Sequence, residues 1–273
     1  MESANAVGPD PVELLHIALD VVRPAAELAR SMRAEGVGEV STKSTDTDVV
    51  TAADRAVERH VVAALRDRRP ADSVLGEESG GTGGGGAQVR WILDPIDGTV
   101  NYLYGLPLYA ISLAAEVDGV VVAGVVRNPA TGHEWTAVRG AGAYRDGRRL
   151  AGSRVTRLGQ ALLATGFGYD PARRAHQARV LAALLPEVRD VRRLGSAALD
   201  LCLAAEGVVD MFYEKGLNIW DYAAGALIAT EAGLRVTGLA GAPPGPDLVL
   251  AAPTGVYEAL HDRLVALDAA GGP

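Results

Sequence analysis

One cysteine, Cys202, in a chain of 273 residues excludes an internal disulfide, so nothing here requires an oxidising compartment. Its setting, LDLCLAA, reads as the buried face of a helix. Only two phenylalanines are present, and the core of this 48% hydrophobic chain falls to Ala, Val, Leu and Ile. No apolar run approaches the roughly 20 residues needed to cross a bilayer. The N-terminus lacks a charged segment followed by a continuous apolar stretch, so no targeting signal is read and a cytoplasmic protein is expected. Positive charge is in short supply as well. With 26 Lys and Arg against 34 Asp and Glu, the net charge is -8, which disfavours nucleic acid as a partner. RDRR at 66–69 and RRL at 192–194 are too short to reverse that. His16, His60, His133, His176 and His261 show no pair at metal-ligand spacing and read as structural or exposed.

Apolar residues at three- and four-residue spacing predict helices over 12–33 and 51–68, with Pro24 kinking or interrupting the first. From residue 89 the period changes to two. VRWIL, YAISLAAEV, VVVAGVVRN and HEWTAV, with Asp118-Gly119 and Asp146-Gly147 as turns, predict an antiparallel meander. Strand and helix patterns then alternate: ALLATGFG and a helix ending near Pro186, VRRLG and a helix over 196–206, VVDMFYE and a helix over 221–232, DLVLAAP and a C-terminal helix. GGTGGGG (80–86) and AGAPPGPD (240–247) read as surface loops. Helices first, sheet next and mixed units last indicate a layered α+β chain, a single domain over 1–273 with two lobes meeting near residue 150.

The acids are placed unusually. TDVVTAAD sets Asp48 before a helix and Asp54 in its first turns, and LGEESGG sets Glu77 and Glu78 after a short apolar segment. WILDPIDGTVNY (91–102) supplies Asp94 and Asp97, and NIWDYAAG sets Asp221 at a helix start. Each lies at the end of an apolar segment rather than on a charged solvent face. Clustered carboxylates without basic partners are stable together mainly when a hard cation such as Mg²⁺ neutralises them. Two bland readings stand beside that one: Asp-Pro and Asp-Gly are ordinary turn dipeptides, and Asp48 and Asp221 suit helix N-caps. A helix beginning at Asp97-Gly98-Thr99 would also turn free N–H groups towards an anion, with Gly98 allowing close approach. Carboxylates for metal, N–H groups for phosphate and the Thr99 hydroxyl together suggest phosphoryl transfer to water.

DVVTAAD (48–54), GEES (76–79), WILDPIDGT (91–99) and WDYAAGALIATEAG (220–233), in this order and spacing, resemble the inositol monophosphatase family, closest to its bacterial inositol-1-monophosphatases. RRLGSAALDLCLAAEGVVDMFYEKG (192–216) is similar to the stretch before the last motif, so the match runs from about Lys43 to about Gly233. The resemblance implies the layered α-β-α-β-α sandwich of Mg-dependent sugar phosphatases. It implies that Glu77, Asp94 and the Ile96 carbonyl bind a first Mg²⁺ and that Asp94, Asp97 and Asp221 hold a second. Glu78 would support them, and a weaker third ion could sit near Glu77. Thr99 and Asp54 would orient and deprotonate the attacking water, with Glu77 counted in the catalytic set, while Gly98 and Thr99 hold the phosphate. Lys43 would stand near the site entrance; a mobile surface lysine is the other reading.

Asp97, Gly98, Thr99, Asp221, Glu214 and the segment Gly195-Ser196-Ala197 are the implied substrate contacts, and a carboxylate at Glu214 suits a polyol with several hydroxyl donors. Glu214 also reads as a plain strand-end acid. Inositol 1-phosphate is the favoured substrate, with histidinol phosphate or fructose 1,6-bisphosphate as alternatives. A role as a protein partner in transcription or RNA processing is the alternative of another class. Inhibition by Li⁺ and a homodimer are further implications, the second supported by the apolar segments YLYGLPLYAISL and GSAALDLCLAA.

Overall fold

Helix α1 (Pro11–Glu35) begins where Asp10 accepts the Val12 N–H at 3.0 Å and Pro11 presets the first helical residue. It is not interrupted at Pro24. Pro24 is exposed, so water can take up the carbonyl it leaves free, and the buried Val21, Val22, Ala25 and Ala26 hold the helix on either side. The computed structural model describes residues 8–36, 40–42, 49–82 and 87–273. Lys43, Asp48 and residues 83–86 of the glycine-rich stretch lie outside them. A short antiparallel pair, β1 (Val40–Thr42) and β2 (Val49–Thr51), leads into α2 (Ala52–Arg68), which starts with a capping box between Thr51 and Asp54.

Then come β3 (Ser73–Gly76), β4 (Gly80–Thr82), β5 (Val89–Asp97), the one-turn helix α3 (Thr99–Tyr104), β6 (Ala110–Val117), β7 (Val120–Arg127), β8 (Glu134–Val138), β9 (Gly142–Arg145) and β10 (Arg148–Arg149). They form an eight-stranded sheet in the order β10-β9-β8-β7-β6-β5-β3-β4. Every pair but β3/β5 is antiparallel. Asp118-Gly119 and Asp146-Gly147 have positive φ at both positions, as tight two-residue hairpins require. Gly80–Thr82, expected in a loop, instead pairs with β3 as an edge strand.

The rest of the chain gives β11 (Leu162–Thr165), α4 (Pro171–Leu184), β12 (Asp190–Arg192), α5 (Ala197–Glu206), β13 (Met211–Glu214), α6 (Ile219–Glu231), β14 (Arg235–Thr237), β15 (Val249–Ala252) and α7 (Thr254–Ala266). The five strands are ordered β12-β11-β13-β15-β14.

Five layers follow from which side chains each strand turns to which face. Ile111, Leu113 and Ala115 of β6 pack under α1 and α2, whereas Ala110 and Ala114 meet α5 and α6 on the other face. In the second sheet Phe212, Val249 and Ala251 face α5 and α6, while Met211, Tyr213, Leu250 and Ala252 face α4 and α7. Both faces of both sheets are covered, which is why their strands read as continuous apolar runs. The α5 helix therefore offers no apolar face to a second subunit, contrary to expectation: Leu199, Leu201 and Cys202 are buried between the sheets. No helix among the described residues is long and apolar enough to cross a membrane.

Candidate active site

The end of β5 shows how two acids three residues apart reach one pocket. In a regular strand, residues three apart point to opposite faces. Here Asp94 pairs with Ser112 but Asp97 pairs with Ala110, so β5 carries one extra residue between them. This bulge returns Asp97 to the side of Asp94, and both line a cavity of about 550 Å³. Glu77 reaches the same cavity from the turn after β3, its N–H bonded to the Leu93 carbonyl of β5 at 3.3 Å. Asp221 reaches it from the third position of α6, where Oδ2 accepts the Asn218 N–H at 2.6 Å.

Gly98 follows with φ 95°, a conformation costly for any residue with a side chain. A Cβ there would lie 2.9 Å from the Leu108 carbonyl oxygen and 3.0 Å from that of Gly195. Thr99 then opens α3. Its hydroxyl lies 3.0 Å from Asp54 Oδ1 and 3.1 Å from the Ile96 carbonyl. Asp54 Oδ2 accepts from the Thr51 N–H at 2.8 Å and the Thr51 hydroxyl at 2.5 Å. The leading end of α5 closes another wall: Ser196 Oγ and the Ala198 N–H both donate to Asp97 Oδ2 at 2.7 Å. Ser196, expected to contact substrate, thus has its hydroxyl proton committed to Asp97, though it lines the cavity with Gly195 and Ala197. Glu214 enters from the end of β13, its carboxylate lying where any side chain on Gly166 would have to be.

The acids of the cavity weigh mainly on one another, although Arg173, Arg193 and Lys215 also line it. Burial, and after it the charges of Glu77, Asp97, Asp221 and Asp54, push the Asp94 carboxyl well above the usual range. Burial and the charges of Asp97 and Glu77 do the same to Asp221. Asp97 is raised by burial to about 6, against the pull of its hydrogen bonds from Ser196 and Ala198 and of Arg193. Glu214 is raised by burial and Asp97 to about 8. Asp54 is raised by burial, opposed by its bonds to Thr51 and Thr99. The side-chain charges that weigh most on Asp94 and Asp221 are those of other acids. Acids gathered around one cavity offer the oxygen donors that a hard divalent cation takes.

Three residues at this site escaped the sequence reading. Glu58, buried in α2, accepts the Glu78 and Ser79 N–H groups at 2.9 and 2.8 Å and so fixes the turn that presents Glu77. Asn101 donates to the Leu108 and Leu194 carbonyls, both at 2.7 Å, tying the β5–β6 connection to the approach of α5. Asp200 is fully buried in α5. For Glu58 and Asp200 a signal did exist: each is an acid on the apolar stripe of its helix.

The model of the inositol monophosphatase family matches residues 10–269. The chain is 47% identical over 270 residues to the inositol-1-monophosphatase of Mycobacterium leprae, covering 92% of this chain and 93% of that protein. It is 41% identical over 234 residues to the Nus factor SuhB of Pseudomonas aeruginosa, covering 84% and 86%. The solved structure of Mycobacterium tuberculosis SuhB superposes with a TM-score of 0.82 at 41% identity, covering 96% of this chain and 99% of that one.

Proposed function

Because the chain belongs to the inositol monophosphatase family, whose members are phosphoric monoester hydrolases, we propose that its own substrate is inositol 1-phosphate, hydrolysed with Mg²⁺ to inositol and phosphate. The observation that carries this reading is one cavity with a carboxylate cluster, the Thr99–Asp54 pair and Glu214 around it. Glu77, Asp94 and the Ile96 carbonyl would hold one ion, and Asp94, Asp97 and Asp221 a second. Bound there, Mg²⁺ supplies Lewis acidity to a water and takes up charge on the departing oxygen.

The chain's own groups do the rest. With its proton directed to Asp54, the Thr99 hydroxyl turns lone pairs towards the cavity, where they orient the attacking water. Asp54, its carboxyl raised by burial, is the better acceptor for the proton that passes through Thr99. The first N–H groups of α3 have no acceptor within the helix and suit the phosphate oxygens. Ser196 and Ala198 hold one oxygen of Asp97 still, so the other keeps a fixed position. Glu214 accepts hydrogen bonds from the polyol hydroxyls.

Phosphate release with Mg²⁺ from a panel of inositol 1-phosphate, histidinol phosphate, fructose 1,6-bisphosphate and an aryl phosphate tests the assignment. The largest kcat/KM is expected for inositol 1-phosphate, and faster turnover of another member would replace it. The Nus factor name of the P. aeruginosa relative supports a second reading, a partner role in transcription. Asp94→Asn separates the two, because it should abolish hydrolysis and leave a partner surface intact.

A homodimer forms part of the same proposal. Tyr104 and Leu106, at the end of α3, are 76% and 50% exposed, and Val208 nearby in sequence to the end of α5 is 55% exposed. Large apolar side chains in such positions suit a partner surface. A cytoplasmic location is proposed on the same footing.

A further inference from the structure

Two connections line the cavity beside Glu214: residues 166–170, which follow β11, and residues 214–218, which end β13 and lead to α6. The two strands are parallel neighbours, so both connections leave the sheet at the same end. Helix α4 holds them from behind. Gln177 is buried there; its Oε1 accepts the Gly168 N–H at 3.0 Å, and its Nε2 donates to the Lys215 carbonyl at 3.4 Å. One side chain thus binds one residue of each connection. One turn earlier on α4, Arg173 passes between the two. A Cβ on Gly168 would lie 2.8 Å from its Cδ, and one on Gly216 2.5 Å from its Nη1, so the glycines make room for it.

Lys215 is buried as well, and its ammonium is spent on a distant part of the chain. Nζ donates to the main-chain carbonyls of Ala270, Gly271 and Gly272 at 2.6, 2.8 and 3.2 Å. An ammonium has three N–H donors, and three successive carbonyls take them. Without such acceptors a buried ammonium would be strongly destabilising. Successive carbonyls meet one atom where the chain turns tightly, and the sequence provides for this: Gly272 has φ 75°, and a side chain on Gly271 would run into the Asp268 carboxylate. The segment 268–273 is fixed at both ends. Ala269 is buried in the core between α4 and α7, and His176 Nε2 donates to the Asp268 carbonyl at 2.9 Å. Arg173 Nε donates to the main-chain oxygen of Pro273 at 3.1 Å. Arg173, His176 and Gln177 stand at i, i+3 and i+4 on α4, so one side of that helix binds the two connections and the segment together.

We infer that Lys215 is a positioning residue for substrate selectivity: clamped by the carbonyls of 270–272, it fixes the connection that carries Glu214, and the segment after α7 thereby governs the grip on the substrate's hydroxyls. The inference rests on the reading of Glu214 as the polyol acceptor. A displaced Glu214 loses hydrogen bonds to those hydroxyls, whereas an aryl phosphate offers it none. Asp221, which the same connection leads to, keeps an anchor of its own in the Asn218 N–H.

The test uses the full chain with Mg²⁺ and compares Gly272→Val, Lys215→Met and Glu214→Ala, measuring KM and kcat for inositol 1-phosphate and for an aryl phosphate without hydroxyls. Gly272→Val leaves Lys215 in place and shifts its acceptors, because a Cβ there would lie 2.8 Å from the His176 ring. Its KM for inositol 1-phosphate should rise about 3- to 10-fold, with kcat and the aryl phosphate KM near wild type. Lys215→Met should raise the ratio of the two KM values by a similar factor. The double variant should add nothing, since each change opens the same clamp. Hydrogen exchange in Gly272→Val should quicken over residues 214–218 and not over α3. A wild-type KM ratio in Gly272→Val, or equal losses on both substrates, overturns the role, as do additive effects in the double variant. If Lys215→Met does not fold, the KM ratio of Gly272→Val decides alone. Selectivity lost in Glu214→Ala but kept in Gly272→Val overturns the Lys215 role and leaves Glu214 standing. An unchanged inositol 1-phosphate KM in Glu214→Ala overturns the reading of Glu214 and this inference together.

Discussion

The Thr99 hydroxyl stands 3.0 Å from Asp54 Oδ1, joining residues 45 positions apart by one hydrogen bond. Neither group is a good base for water alone, but Asp54 is held by Thr51 on its other oxygen and has no freedom to turn away. Thr99→Ala and Asp54→Asn should each lower kcat by about 10²-fold with little change in KM, and the double variant should be scarcely worse than either single. Additive losses in steady-state kinetics would assign the two side chains independent roles.

Metal binding should be visible without catalysis. Asp97 at about 6 and Glu214 at about 8 both lie above their ordinary values, so the native state binds more protons than the unfolded chain between those values. Stability without metal therefore falls as pH rises through that window, from about 4 to about 8. On the proposed reading a divalent cation would replace the missing protons. Thermal unfolding should show a larger rise in Tm on adding Mg²⁺ at about pH 8 than at about pH 5; a Tm gain independent of pH would separate the cation site from these acids. Glu77→Gln and Asp94→Asn should remove Mg²⁺-dependent turnover with helix content unchanged by circular dichroism.

Glu58 would act on the proposed metal site at one remove. Its carboxylate holds two successive N–H groups of the turn that carries Glu77, so Glu58→Ala should raise the Mg²⁺ concentration for half-maximal activity about 10-fold or more. A Mg²⁺ titration identical to the wild type would mean that the turn keeps its shape without Glu58.

Gly166 supplies a test of Glu214 that leaves the acid in place. A methyl group on Gly166 would occupy the space of the Glu214 carboxylate. Gly166→Ala should therefore resemble Glu214→Ala, raising KM for inositol 1-phosphate about 3- to 10-fold more than for an aryl phosphate. Equal effects on the two substrates would make Glu214 a structural acid.

Tyr104→Asp combined with Leu106→Asp should convert a dimer to a monomer by sedimentation at micromolar concentration, because these exposed side chains leave the folded core untouched. A wild-type chain that sediments only as a monomer removes the dimer from the proposal.

Much of the fold was legible because apolar segments and turn residues alternate along the chain. The meander over Val89–Val138 has strands bounded by Asp-Gly turns, and the later helices announce themselves by apolar spacing and capping residues. Pro24 and the Gly80–Thr82 strand were not legible, since both depend on what lies beside them: solvent on one face of α1 for the proline, a free sheet edge at β3 for the glycines. The short strands β1, β2 and β14 carry too few residues for a period to show.

At the site, the sequence by itself determined the chemistry: acids at the ends of apolar segments, a glycine and a threonine at a helix start, four motifs in a family order. Residue type and local spacing decide those, because a carboxylate, a hydroxyl and a helix terminus have the same reactivity wherever the chain places them. Only the tertiary structure decided which of them act together. The bulge between Asp94 and Asp97 puts both on one side, the start of α5 turns the Ser196 hydroxyl to Asp97, Glu58 braces the Glu77 turn from another helix, and Asp200 is sealed in the core without a hydrogen-bond partner among the described residues. Register shifts and contacts between distant segments come from packing of whole layers, and no local pattern encodes them.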